Sequence, residues 1–160
     1  MSHDPPRDSQ PCDYSQDMVD AIAQRHVRAS DCSATPETVI SDVADDLFDG
    51  DVEDIALDEA MVTQTLDGIL TALIALRTSG THGSGLMEDM VQLFDVQPSP
   101  GTVYPRLHEL EAAGTLGRHE LVQTKQYSIS DEASAESVIE EAMYQHLSLG
   151  LFLSAARDAV

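Results

Sequence analysis

From residue 59 to residue 77, core-type side chains return every three or four positions. Met61, Thr65, Leu66, Ile69, Leu70, Leu73, Ile74 and Leu76 share one wide face. That period predicts a single core helix, with Asp58 as its cap. Ser79, Gly80, Thr81, His82 and Gly83 then break it. A shorter helix is predicted over 84–94, carrying Leu86, Met87, Met90, Val91, Leu93 and Phe94 on its apolar side, and another over 100–113. From Leu116 the period falls to two. Leu116, Arg118, Glu120 and Val122 alternate with Gly117, His119 and Leu121, and Gln126 to Ile129 follow a polar bend. Two brief strands joined near Gln123, Thr124 and Lys125 fit this pattern. Helical spacing resumes over 132–158, where Val138, Ile139, Ala142, Met143, Leu147, Leu151 and Phe152 form one stripe.

Ahead of this block, residues 1–14 read as a mobile tail, with Pro5, Pro6 and Pro11 among Asp and Ser. Ser15 is placed to cap a first helix. A second starts with Thr35 as cap, Pro36 at the first helical position and Glu37 in the first turn. The organisation expected is a tail (1–14), an acidic helical extension (15–57), a domain of three helices and a hairpin (58–131) and a long terminal helix (132–160). The fold class is mainly α (α+β), and three helices followed by a hairpin is the winged helix-turn-helix layout. The terminal helix is too long for one small domain to cover its stripe, so it is expected to pair with a second copy.

The segment 100–113 deserves separate reading. At about 100° per residue, Val103, Leu107 and Leu110 fall on one face, with Gly101, Pro105 and His108 opposite. Thr102, Arg106 and Glu109 flank one side and Tyr104 the other. Inside a helix Pro105 forfeits a hydrogen bond and crowds the Gly101 carbonyl, at about 3 kcal/mol. With Thr102 as cap instead of Ser99, Pro105 sits in the first turn and that cost vanishes. Either way the helix starts with little bulk on its outer face, suited to entering a groove, with free N–H groups that attract phosphate. The same periodicity also describes a core helix with a plain polar face.

Charge complicates a nucleic-acid role. The 160-residue chain has 8 Lys and Arg against 29 Asp and Glu, a formal charge of −21. Residues 1–60 hold 3 basic and 16 acidic groups, whereas 77–130 hold 4 basic and 6 acidic. Seven of the basic residues are Arg and aromatics are sparse, which suggests a salt-adapted, halophilic cytoplasm; an ordinary acidic protein with an acidic arm is the rival account. At molar salt the Debye length is about 3 Å, so distant carboxylates barely repel a phosphate backbone. Cys12 and Cys32, with His26 between them, lack metal-ligand spacing, and no metal or cofactor is expected. No signal peptide and no apolar run of spanning length occur, which predicts a cytoplasmic protein off the membrane.

The stretches "ILTALIALRTSGTHGSGL", "SPGTVYPRLHELEAAGTL" and "KQYSIS" resemble the PadR family of winged-helix transcriptional regulators, over about residues 67–131. The run Pro100, Gly101, Thr102, Val103, Tyr104, Pro105 is its most specific part, with Leu107, Leu110, Glu111 and Gly114 at the family's spacing. The resemblance implies a homodimer that binds double-stranded DNA and usually represses transcription. It places Thr102, Tyr104 and Arg106 in the major groove and a wing tip of Gln123, Thr124 and Lys125 on the backbone or minor groove. The family's His-Gly-Tyr reads His82, Gly83, Ser84 here, which puts packing at that junction in question.

The DNA-contacting set expected is therefore Ser99, Gly101, Thr102, Tyr104, Pro105 and Arg106, with His82, Ser84, Arg118, Gln123, Thr124 and Lys125. Arg106 is the leading candidate for a base or phosphate contact, and potassium ions are expected to bridge carboxylates such as Glu109 to phosphates. The alternative is a protein-interaction module that uses the winged fold as scaffold. No nucleophile motif, phosphate loop or paired carboxylates point to an enzyme.

Overall fold

The structure, a computed structural model, describes residues 35–41, 57–77, 79–122 and 124–157. The tail, the helix expected after Ser15, Cys12, His26, Cys32 and Gln123 lie outside the described residues. Helices α1 (Glu59–Gln64) and α2 (Leu66–Ala75) are followed by strand β1 (Thr81–His82) and helices α3 (Gly83–Phe94) and α4 (Pro100–Ala112). Strands β2 (Leu116–Glu120) and β3 (Lys125–Ile129) and the long helix α5 (Glu132–Arg157) complete the order.

Asp58 caps α1 as expected, its carboxylate accepting from the Ala60 and Met61 N–H groups. The single helix predicted over 59–77 is divided at Thr65, whose backbone leaves the helical region (φ −107°, ψ 15°). Its hydroxyl lies 2.9 Å from His146 Nε2 on α5, a partner that local periodicity does not register. Beyond the break α2 buries Leu66, Leu70, Leu73 and Ile74. It runs so close to α5 that a Cβ on Gly68 would stand 2.6 Å from the Ala142 Cβ. These residues form one core with Val62, Leu86, Met90, Val103, Leu107, Leu110, Leu116 and Tyr127, and its apolar burial is the main stabilising term.

A third strand corrects the two-stranded expectation. Thr81 and His82, read as part of a helix break, pair antiparallel with Tyr127 and Gln126, giving the order β1-β3-β2. Two residues are too few to show a period; the edge of β3 recruits them. In the register of β2 and β3, Arg118 faces Tyr127 and His119 faces Gln126. Tyr127 is wholly buried and its hydroxyl has no hydrogen-bond partner among the described residues. Burial, and then the nearby Glu111 carboxylate, push its phenol above the ordinary range.

Both turns after the middle helices use left-handed residues. Gly114 (φ 85°) ends α4, with its own N–H bonding Glu111 O and the Thr115 N–H bonding Leu110 O, the paired pattern of a Schellman stop. Asp95 (φ 54°) does the same work after α3 without a glycine. Residues 36–41 are helical, and Thr35 and Thr38 exchange backbone-to-hydroxyl hydrogen bonds at 2.9 and 3.4 Å, so the start read at Thr35 is formed. This helix touches the domain through Glu37, 3.3 Å from Arg77.

Candidate nucleic-acid interface

Helix α4 starts at Ser99, and this decides the question Pro105 raised. The Thr102 and Val103 N–H groups both bond Ser99 O, at 2.9 and 3.1 Å, so Thr102 is inside the helix and not its cap. Pro105 lies in the second turn, where it removes the partner of the Gly101 carbonyl. Gly101 and Pro105 are both exposed, so the carbonyl left without its helical partner is open to solvent. The Ser99 hydroxyl bonds the Thr102 hydroxyl at 2.9 Å and makes no cap bond. Of the N–H groups expected to be free in this turn, those of Thr102 and Val103 are therefore taken up by Ser99 O.

One face of α4 is core: Val103, Leu107 and Leu110 are buried. The opposite side borders an open cleft of about 600 Å³ between α4, the start of α3 and the wing. His82, Ser84, Tyr104, Thr124 and Lys125 all line it. Five of the expected contact residues, from three separate stretches of chain, thus share one surface. Tyr104 is 36% exposed and its ring lies on Gly83, where an added Cβ would meet ring atoms at 2.5 to 2.9 Å. Tyr104 from the next helix thus fills the junction at His82, Gly83 and Ser84. His82 is anchored by its Nδ1, 3.2 Å from Lys125 O.

The arginines are placed differently. Arg106 lies outside the cleft lining, with Nη1 3.0 Å from Glu109 Oε2 and 3.5 Å from Asp67 Oδ2. Arg118 pairs with Glu111 at 3.2 Å and Glu120 at 3.5 Å. Lys125 makes no ion pair among the described residues. The cleft's fixed charges are Lys125 and Glu120, which cancel, so its walls can tolerate an anion without attracting one strongly. Ser99, Gly101, Thr102 and Pro105 border the helix start and do not line the cleft.

His108, Glu120, Leu121 and Val122 line the cleft and are missing from the expected set. The helical projection already set His108 opposite the core. Leu121 is 52% and Val122 102% exposed; two aliphatic residues at a turn were the available signal. The Leu121 N–H bonds Thr124 O at 2.8 Å and holds that turn. Along α5, Val138 packs on the core and Ala142 on Gly68 of the same chain. Leu149, Phe152 and Leu153 farther along are 56%, 68% and 56% exposed. Among the described residues no three His, Cys, Asp or Glu are grouped to hold a metal, and no helix is long and apolar enough to cross a membrane.

Three packed helices, a three-stranded sheet with a protruding hairpin and a polar helix start beside it define a winged helix-turn-helix fold. The chain is similar in sequence to proteins named as transcriptional activators. It is 38% identical over 123 residues to the transcriptional activator GvpE of Haloferax mediterranei, and 36% identical over 122 residues to GvpE1 of Halobacterium salinarum. Each alignment takes in 74% of this chain, which spans 63% of the relative's length. A PadR-like transcription factor from Bacteroides fragilis has 19% identity and a TM-score of 0.45, with 61% of this chain and 94% of that chain covered. No family model matches.

Proposed function

We propose that the chain is a sequence-specific DNA-binding regulator of transcription, acting inside a salt-rich cell and carrying no catalytic activity. The start of α4, with Ser99, Gly101, Thr102, Tyr104 and Pro105, enters the major groove. His82 and Ser84 meet the phosphate backbone. The wing follows the backbone or minor groove through Arg118, Gln123, Thr124 and Lys125, with Leu121 and Val122 as apolar contacts of the kind that wedge between base steps. The cleft that gathers His82, Ser84, Tyr104, Thr124 and Lys125 carries this reading. The relatives are named activators, so activation replaces the repression that the sequence motif suggested.

The regulator works as a homodimer through α5. Val138 and Ala142 serve packing within the chain, whereas Ile139, Met143, Leu147 and Leu151 continue into the exposed Leu149, Phe152 and Leu153. Two copies of α4 then meet major grooves about one DNA turn apart. Potassium ions bridge Glu109 to the phosphates, so affinity falls less steeply with salt than counterion release alone would give.

The test offers the full chain a random pool of duplexes in molar potassium chloride. Enrichment of a two-fold motif is expected, and Tyr104→Ala or Lys125→Ala should weaken its binding about tenfold, a loss of roughly 1.4 kcal/mol, with the fold intact. A chain that enriches no duplex, or folded variants that bind like the parent, would leave the protein-interaction reading in its place.

A further inference from the structure

The one arginine of α4 is already engaged. Glu109, one of its two carboxylate partners, comes from the same helix, while Asp67 comes from the first turn of α2. One cation between two carboxylates, one on α4 and one on α2, leaves a local excess of negative charge beside the helix that must approach phosphates. Asp67 Oδ1 is buried with no hydrogen-bond partner among the described residues, so this carboxylate depends on Arg106 at its other oxygen. Contacts to α5 stand on both sides of Asp67. Thr65 reaches His146 at 2.9 Å, and Gly68 lets Ala142 approach. The seat of α5 on α2 thereby fixes where Asp67 stands.

We infer that Asp67 is a positioning residue which holds Arg106 away from the DNA-reading surface until a duplex displaces it. This rests on the DNA-binding reading above. On binding, the guanidinium exchanges its carboxylate partners for the edge of a guanine or a phosphate, both of which suit its planar donors. The exchange is feasible because the pair is open to solvent: the side chains of Arg106 and Asp67 are 42% and 41% exposed. Exposed pairs are weak, so the hold tunes affinity and base preference and does not abolish binding. Its strength is set on α2, and through α2 by α5.

A double-mutant cycle on the duplex enriched by the full chain tests this. Asp67→Asn should bind about two- to fivefold more tightly, the range of exposed ion pairs, and should sharpen the preference at one base pair per half-site. In an Arg106→Ala background the same substitution should change nothing. A gain that persists without Arg106 would mean Asp67 acts only as a general negative charge, and binding equal to the parent would mean no hold exists; either result overturns the inference. Should Asp67→Asn not fold, Asp67→Ala runs through the same cycle. A parent chain that enriches no duplex defeats the DNA reading itself, before any variant is compared.

Discussion

Arg77 and Arg106 each meet an aspartate and a glutamate, yet their surroundings give them opposite characters. Arg77 grips Asp89 with two nitrogens, Nε at 3.0 Å and Nη2 at 2.5 Å, and the Asp89 side chain is only 10% exposed. The same Nη2 reaches Glu37 at 3.3 Å. The hydrogen bond to Asp89 holds the Arg77 guanidinium above even its ordinary high pKa. Arg106 uses one nitrogen for both partners, and Glu109 is 64% exposed. A two-pronged, half-dry pair is a strut. A one-pronged, wet pair is exchangeable. In a chain with so few cations, geometry rather than residue type separates a fixed arginine from an exchangeable one.

The largest expected effect breaks the strut. Arg77→Met keeps much of the side chain's bulk but leaves Asp89 facing the domain without a partner. Stranding a mostly buried carboxylate should cost about 3 kcal/mol, read from denaturant unfolding at constant high salt. Arg106→Ala, measured alongside, should cost under about 1 kcal/mol. Equal losses in the two variants would erase the distinction.

Periodicity made much of this legible. Val103, Leu107 and Leu110 were set on one face by spacing alone and are buried, and the hairpin followed from the change of period at Leu116. Tertiary partners decided the rest. Thr65 leaves the helix where it meets His146, β1 exists because β3 offers an edge, and Arg106 is held by a carboxylate on another helix. Each of these contacts links residues far apart in sequence, where no local pattern carries a signal. The candidate interface was half readable. His82, Ser84, Tyr104, Thr124 and Lys125 were named, whereas His108, Glu120, the seating of Tyr104 on Gly83 and the apolar wing tip emerge only when the elements pack.

The next effect sharpens the comparison at the other end of α2. Gly68→Ala places a methyl group 2.6 Å from the Ala142 Cβ, closer than two carbons can stand. Both atoms are fixed to helix backbones, so α2 and α5 must separate. The expected cost is about 2 kcal/mol, as for other overpacked contacts, and Ala142→Gly in the same chain should restore most of it. Because Asp67 precedes Gly68, a DNA titration of Gly68→Ala should also show altered dependence on Arg106, whereas Arg77→Met should not. A Gly68→Ala protein as stable as the parent would show that the helices have slack, and that α5 cannot fix Asp67.

The smallest effect concerns the outer arm of the strut. Hydrogen bonds from its own backbone N–H and from Thr35, and then the charge of Arg77, hold the Glu37 carboxyl below the ordinary range. A depressed carboxylate stabilises the fold fully above its unfolded pKa, about 4.3 for glutamate. The contribution fades as pH falls through the lower folded value. The thermal midpoint of the parent should therefore exceed that of Glu37→Gln slightly at neutral pH, by an amount constant down to about pH 5. Below that the two curves should converge as Glu37 takes up its proton. Molar salt should shrink the Arg77 part of the difference and leave the hydrogen-bonded part, since screening acts on charges more than on short contacts. A gap that widened toward acid would reverse the sign of the coupling, and the helix at 36–41 would then have to be held against the domain by its buried Pro36 and half-buried Val39 and Ile40 alone.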